Sequence, residues 1–252
     1  MKHFWTRFWP PLLLLVVISC LFEALVRVGV VESFLLPAPS EVFASLYVDR
    51  AELMFGLGST AIAALIGLGL SFVCGVLIAV VFSLSEFLKK AFLPYAVFFQ
   101  TVPIIALAPV LVIWFGFGQP TVVASAFIVS IFPVIANSVF GLQGTDPALL
   151  ALFKLHRASR IETLLKLQLP AALPAIMSGL RIASGLAVIG AIVGEFIAGG
   201  GLGEVVDAAR TQQRLDKVFA AVLLSSVFGL VLVFCIDLVS RRALQSWYME
   251  RR

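Results

Sequence analysis

In a chain this apolar, chemistry would have to be done by ionisable side chains at membrane depth, and the sequence has few of them. Glu23, Glu195 and Asp237 lie within long apolar runs, as do Cys20, Cys74 and Cys235. The cysteines form no CxxC pair, and the two histidines, His3 and His156, are far apart and outside any metal-ligand spacing, so no metal site is expected. No Gly-Lys dipeptide occurs, which removes a Walker A phosphate loop. No nucleophile, base and orienting group fall together. The residue types therefore point away from catalysis and from nucleotide hydrolysis by this chain. What remains is positioning: hydrogen bonds and ion pairs inside a bundle, and contact with a partner.

Glu23 with Arg27 and Asp237 with Arg241 both have the i, i+4 spacing of helix ion pairs. Glu195 is near the end of its apolar run, where a structural hydrogen bond or a gate ion pair is preferred over direct substrate binding. Gln100, Thr101, Ser130, Asn137 and Ser184 are the candidate lining groups of a pathway. Helix–helix hydrogen bonding is the competing role for each.

The elements that must hold these groups follow from composition. The 252 residues are 61% hydrophobic and 13% charged, with a mean hydropathy of +1.09. A chain of that balance, at about 20 residues per span, reads as an all-α integral membrane protein of about six transmembrane helices. Spans are expected near 11–31, 56–82, 91–115, 121–140, 176–198 and 218–239. The third contains Pro94, Pro103 and Pro109, which predicts a kinked or partly unwound helix. Ser40 is a plausible N-cap for a short amphipathic helix carrying Val42, Phe43, Leu46 and Tyr47 on one side, with a plain connecting loop as the alternative. The expected organisation is an N-terminal helix and interfacial segment over 1–55, a membrane domain over 56–240 with a loop at 144–175, and a tail over 241–252.

Counting Lys and Arg tests the span count and sets the direction. Lys2, Arg7, Lys89, Lys90, Lys154, Arg157, Arg160, Lys166, Arg181, Arg241, Arg242, Arg251 and Arg252 fall on one side, and Arg27, Arg50, Arg210, Arg214 and Lys217 on the other. Thirteen against five places both termini and the 144–175 loop in the cytoplasm by the positive-inside rule. The net charge of +4 matters through that placement, and no nucleic-acid partner is expected.

The loop carries its own folding signals. Asp146-Pro147 is an N-cap followed by proline at the first helical position. Ser159 and Glu162 fit a capping box opening a second helix, in which Ile161, Leu164 and Leu165 form an apolar stripe and which Pro170 is expected to stop. Such an element either rests on lipid headgroups or enters a groove on a cytoplasmic protein.

The stretch RASRIETLLKLQLPAALPAIMSGLRIASGLAVIGAIVGEFIAGGGLG resembles the loop and following span of permease subunits of binding-protein-dependent ABC importers. The family's loop reads EAA, three residues, Gly, nine residues, Ile-x-Leu-Pro. Leu169-Pro170 matches its end and Leu167 stands for Ile, but Arg157 falls at the Gly position and Ala151, Leu152 and Phe153 at EAA. A left-handed Arg157 would cost roughly 1–2 kcal/mol; the alternative is a break displaced by a residue. LLPAPSEVFASL, QTVPIIALAPVLVIWFGFG and the GLG at Gly203 are similar to the nitrate/sulfonate/taurine-type branch.

The resemblance implies a type I importer fold in the inner (cytoplasmic) membrane. It implies a homodimer of permease subunits, cytoplasmic ABC ATPase subunits holding ATP-Mg, and an extracytoplasmic solute-binding protein. No cofactor would be bound by this chain. Arg160–Leu169 would be the coupling helix, with Arg157, Ala158, Ser159, Arg160, Ile161, Glu162, Leu164, Leu165, Leu169 and Pro170 as the ATPase-coupling set. The run AVIGAIVGEF is similar to permeases for pyrimidine-type vitamin precursors, while anions and sulfonates are the branch's other classes. An ion-gradient-driven transporter is the competing function. It would show broken helices at corresponding positions of two inverted repeats, and no such repeat is evident.

Overall fold

The computed structural model describes residues 2–30, 32 and 35–249; Arg251 and Arg252, counted above, lie outside the described residues. Helices follow one another with short connections: α1 (Lys2–Arg27), α2 (Pro39–Val48), α3 (Arg50–Leu84), α4 (Glu86–Thr101), α5 (Ile104–Phe115), α6 (Gln119–Gln143), α7 (Pro147–Leu155), α8 (Arg160–Thr163), α9 (Leu169–Ala198), α10 (Leu202–Thr211) and α11 (Leu215–Met249). No strand occurs among the described residues. Four stretches among them are long and apolar enough to cross a membrane: Arg50–Leu84, Gln119–Gln143, Arg160–Ala198 and Leu215–Leu244. The expected third span is divided into α4 and α5. The chain breaks at Val102-Pro103, whereas Pro94 and Pro109 are held within helices.

The core is α3, α6 and α9, and small residues bring their backbones together. Ala126 of α6 is wedged between two glycines. A Cβ on Gly67 of α3 would stand 2.6 Å from the Ala126 methyl, and one on Gly190 of α9 would stand 2.8 Å from Ala126 Cα. Lipid offers apolar side chains no hydrophobic incentive to associate, so close approach and interhelical hydrogen bonds supply the cohesion. Ser71 of α3 and Ser130 of α6, both fully buried, meet at 2.7 Å.

Leu142, Leu164, Ala172 and Ile176 pack with Phe82 at the end of the bundle that carries the 144–168 loop. At the other end, α10 lays Leu202, Val205 and Val206 on Val42, Leu53, Ala220 and Ala221. Asp49 and Glu52 meet Arg214 and Lys217 at the α10 end. Arg214 grips Asp49 in a fork of 2.9 and 2.6 Å, and Lys217 reaches Glu52 at 2.6 Å. The Arg214 guanidinium, hydrogen-bonded to its carboxylate, holds Asp49 below the ordinary carboxylate range.

Several expectations are corrected here. Ser40 does not cap α2. Ala38 holds that position, its N–H donating to Glu41 Oε2 at 3.0 Å, and the Ser40 hydroxyl donates to Glu23 at 2.7 Å instead. In α2, Val42 and Ser45 turn inward while Phe43 and Tyr47 are exposed. Glu23 pairs with Arg27 as its spacing suggests, but Asp237 takes Arg181 across from α9 at 3.2 Å, not Arg241. Packing of α9 on α11 puts Arg181 within reach, and a pair that joins two helices satisfies both charges where lipid cannot.

Candidate functional site

The loop between α6 and α9 is built from local rules. Asp146 accepts the Ala148 N–H at 2.8 Å and Pro147 follows it, so α7 starts where its cap is. The helix ends in a Schellman turn: the Ala158 N–H donates to Phe153 O, and the Arg157 N–H to Lys154 O, both at 3.0 Å. Arg157 is the left-handed residue of that turn, with φ of 52°. The break has stayed at the position where the family motif has glycine, and an arginine bears the strain. Ser159 and Glu162 then form a reciprocal capping box, with distances of 2.9 and 3.2 Å. Lys166 approaches Glu162 at 3.5 Å on the surface.

Pro170 does not stop the helix. Residues Leu164–Gln168 form a π turn, with the Leu169 N–H donating to Leu164 O, and the chain continues unbroken into α9. The wider turn separates Pro170 from the carbonyl that its ring would strike in an α-helix, and its missing N–H costs no further bond there. The π turn also sets which way the apolar stripe faces. Leu164 is turned inward, only 4% exposed among Leu142, Ala172 and Ile176, and so leaves the exposed set. Ile161 (63% exposed) and Leu165 (57%) remain outward with Leu152 and Leu155 of α7. Arg157, Ser159, Arg160 and Glu162 are exposed as well, while Ala158, Leu169 and Pro170 are half-buried. The result is a small apolar surface with a charged rim and no covering element among the described residues.

Glu195 lies at the far end of the same continuous helix, 1% exposed. Its Oε2 stands 2.9 Å from the Thr60 hydroxyl and accepts the Gly203 N–H at 2.8 Å, and Thr60 Oγ1 accepts the Leu202 N–H at 3.0 Å. The carboxylate thus joins α3, α9 and α10. Gly201 is obligatory here, because a Cβ on it would overlap the Glu195 carboxyl.

The remaining polar candidates separate cleanly. Ser130 is spent on Ser71 and on Ala126 O (2.6 Å), Asn137 on Pro133 O (2.9 Å), and buried Ser184 on Arg181 O (2.7 Å). Thr101, although exposed, donates to Phe98 O at 2.7 Å and terminates α4. Gln100 alone of the set opens into a cavity, an apolar space of about 590 Å³ between α4, α5, α6 and α9. Charge spacing within single segments gave no sign of the Asp49–Arg214 and Glu52–Lys217 pairs, whose members are 165 residues apart.

Residues 71–245 match the family described as binding-protein-dependent transport system inner membrane component. A probable ABC transporter permease protein of Haemophilus influenzae is 35% identical over 241 residues, covering 95% of this chain and 98% of its own. The formylaminopyrimidine transport permease protein ThiX of Halalkalibacterium halodurans is 34% identical, with 88% and 89% covered. The putative aliphatic sulfonates transport permease protein SsuC of Bacillus subtilis is 29% identical, with 93% and 86% covered. In fold, the chain is similar to a subunit of the inward-facing MetNI methionine ABC transporter, with a TM-score of 0.69 and 16% identity over 75% of this chain and 95% of that one. This chain belongs to the family of inner-membrane permease components of binding-protein-dependent ABC transport systems and is a transport subunit rather than an enzyme.

Proposed function

We propose that this chain forms the translocation pathway of an ATP-driven importer for a small solute and couples it to separate ATPase subunits through the 144–168 loop. The observation that carries the reading is the continuity of Arg160–Ala198, a single helical run with the exposed Ile161 and Leu165 at one end and the Glu195 network at the other. At 1.5 Å per residue, Arg160 and Glu195 are roughly 52 Å apart along it. A push on the loop would reach the opposite end of the bundle along one continuous helical backbone, through the π turn at Leu164–Gln168 and past Pro170 and Pro174.

In this mechanism two copies of the chain face each other, an ATPase dimer receives both loops, and a binding protein docks at the α10 end. ATP binding closes the ATPases and favours the outward-open arrangement by its differential affinity for the two states. The basic loop end faces the cytoplasm in this mechanism, a direction supported by the charge count. Relatives named for formylaminopyrimidine, aliphatic sulfonates and nitrate support pyrimidine-type compounds, sulfonates and anions as solute classes, and others are named for riboflavin and carnitine.

The test is to purify the tagged chain from membranes and reconstitute what comes with it. An ATPase and a binding protein should be recovered, and uptake into vesicles should require ATP. Uptake that persists after ATP depletion, in a preparation with no ATPase, would refute the proposal and favour an ion-gradient mechanism.

A further inference from the structure

We infer that the solute this permease carries is an uncharged, flat heteroaromatic molecule and not a small anion; the inference rests on the pathway reading above. It starts from a gap in the sequence. Residues 91–145 contain no Asp, Glu, Lys, Arg or His. That stretch supplies all of α5 and α6 and most of α4, so three of the four helices around the cavity present no charge along their membrane length. The fourth, α9, has two ionisable residues, and both are engaged: Arg181 with Asp237 of α11, and Glu195 with Thr60 and Gly203.

The cavity is consistent with that gap. Its volume of about 590 Å³ falls in the range that holds a small organic ligand. Trp114, Ile128, Phe132 and Leu186 are among its walls, and Gln100 supplies the one side-chain amide. Among the described residues the Gln100 amide has no hydrogen-bond partner, so both its donor and its acceptor are available. A nitrate or sulfonate entering this space would lose its hydration with no cation to replace it. A heteroaromatic ring loses little, gains contact with the aromatic walls, and presents ring-nitrogen and amino edges to one amide. Between small anions or sulfonates and pyrimidine-type compounds, the lining favours the uncharged class.

The experiment reads the cavity directly. In a chain with Cys20, Cys74 and Cys235 replaced by alanine, Ile128→Cys is introduced and the whole importer complex is reconstituted in proteoliposomes. The thiol is treated with uncharged methyl methanethiosulfonate or with its 2-sulfonatoethyl analogue, each rate being divided by that with free mercaptoethanol. After this correction the uncharged reagent is expected to react at least about tenfold faster, and millimolar 4-aminopyrimidine should slow it while methanesulfonate should not. Leu186→Cys on α9 gives a second site should the first variant misfold. Equal corrected rates, or protection by methanesulfonate, would overturn the inference. So would silence towards both reagents, which would mean that a second copy or an acyl chain fills the space. ATP-dependent uptake by the same complex checks the pathway reading separately. Uptake of an anionic ligand would defeat this inference alone, whereas absence of ATP-dependent uptake would defeat the reading beneath it.

Discussion

Replacing Arg157 by glycine should tighten the corner between α7 and α8. Arg157 holds a φ of 52°, where an L-residue costs about 1–2 kcal/mol. Glycine removes that strain but loses about 0.5–1 kcal/mol more chain entropy on folding. The difference spans about 0–1.5 kcal/mol, and its central value is a net gain of about 0.75 kcal/mol. The guanidinium is exposed and has no partner among the described residues, so nothing else is lost. The two amides that close the turn, Arg157 N–H to Lys154 O and Ala158 N–H to Phe153 O, report local opening by hydrogen exchange. A gain of that size slows their exchange about two- to fivefold. Hydrogen-exchange mass spectrometry of peptides over 152–160 measures it, with Arg157→Ala as the comparison. Alanine keeps the Cβ, so it should leave exchange unchanged. If the glycine variant exchanges at the original rate or faster, the left-handed strain is not the controlling term. If the alanine variant also loosens, the arginine side chain stabilises the corner and the reasoning fails.

Three further outcomes rest on packing and charge. Gly190→Ala should lower thermal stability in detergent, by about 1–3 kcal/mol, because its Cβ would stand 2.8 Å from Ala126 Cα and Ser125 O; Gly58→Ala, which meets nothing within 4 Å, should not. Thr60→Val should destabilise by about 1–3 kcal/mol, since it strips the Leu202 N–H and the buried Glu195 carboxylate of their partner, and Thr60→Ser should restore most of the loss in the same melting assay. Asp49→Asn should cost about 1–2 kcal/mol, between the values for exposed and buried pairs, because the Arg214 side chain is over a third exposed and because Arg214 retains Asp216 and Lys217 retains Glu52. Asp49 is held below its ordinary value of 3.8, so its contribution is complete above that pH and is lost as pH falls through the lower folded value. Acid melts of the wild type and the Asn variant should therefore converge below pH 3.8, and parallel curves would contradict the assignment.

Local signals were legible in the sequence because neighbouring residues decide them. The Asp146 cap and the Ser159–Glu162 box depend on residues within one helical turn, and each is found where the residue types put it; the turn at Arg157 is found where the family motif has glycine, against the preference of arginine. The three prolines of the third span announced a break without locating it: the chain divides at Val102-Pro103, while Pro94 and Pro109 are accommodated within helices. Helical phase was not legible. The stripe Ile161, Leu164, Leu165 has one face on paper, but the π turn at Leu164–Gln168 changes the helical phase and buries Leu164. Partner choice was equally hidden wherever two acceptable partners existed. Asp237 had Arg241 at ideal spacing and took Arg181, a choice made by how α9 crosses α11. Ser130, Asn137 and Ser184 look like pathway polarity in the sequence, and each donates to a carbonyl one turn back in its own helix.

The coupling loop is the centre of the account, and the surface that remains after Leu164 is removed makes a sharp test. Ile161 and Leu165 are exposed and contribute little to the fold, so Ile161→Glu with Leu165→Glu should leave the melting temperature unchanged. Buried in a groove of a partner, the same pair would be intolerable as carboxylates. The direct measurement is the amount of ATPase recovered with the tagged double variant relative to the unmodified chain, from membranes expressing both proteins. The account predicts at least about a tenfold loss of bound ATPase in a variant that is otherwise normally folded. Full recovery of ATPase with ATP-dependent uptake intact would contradict it.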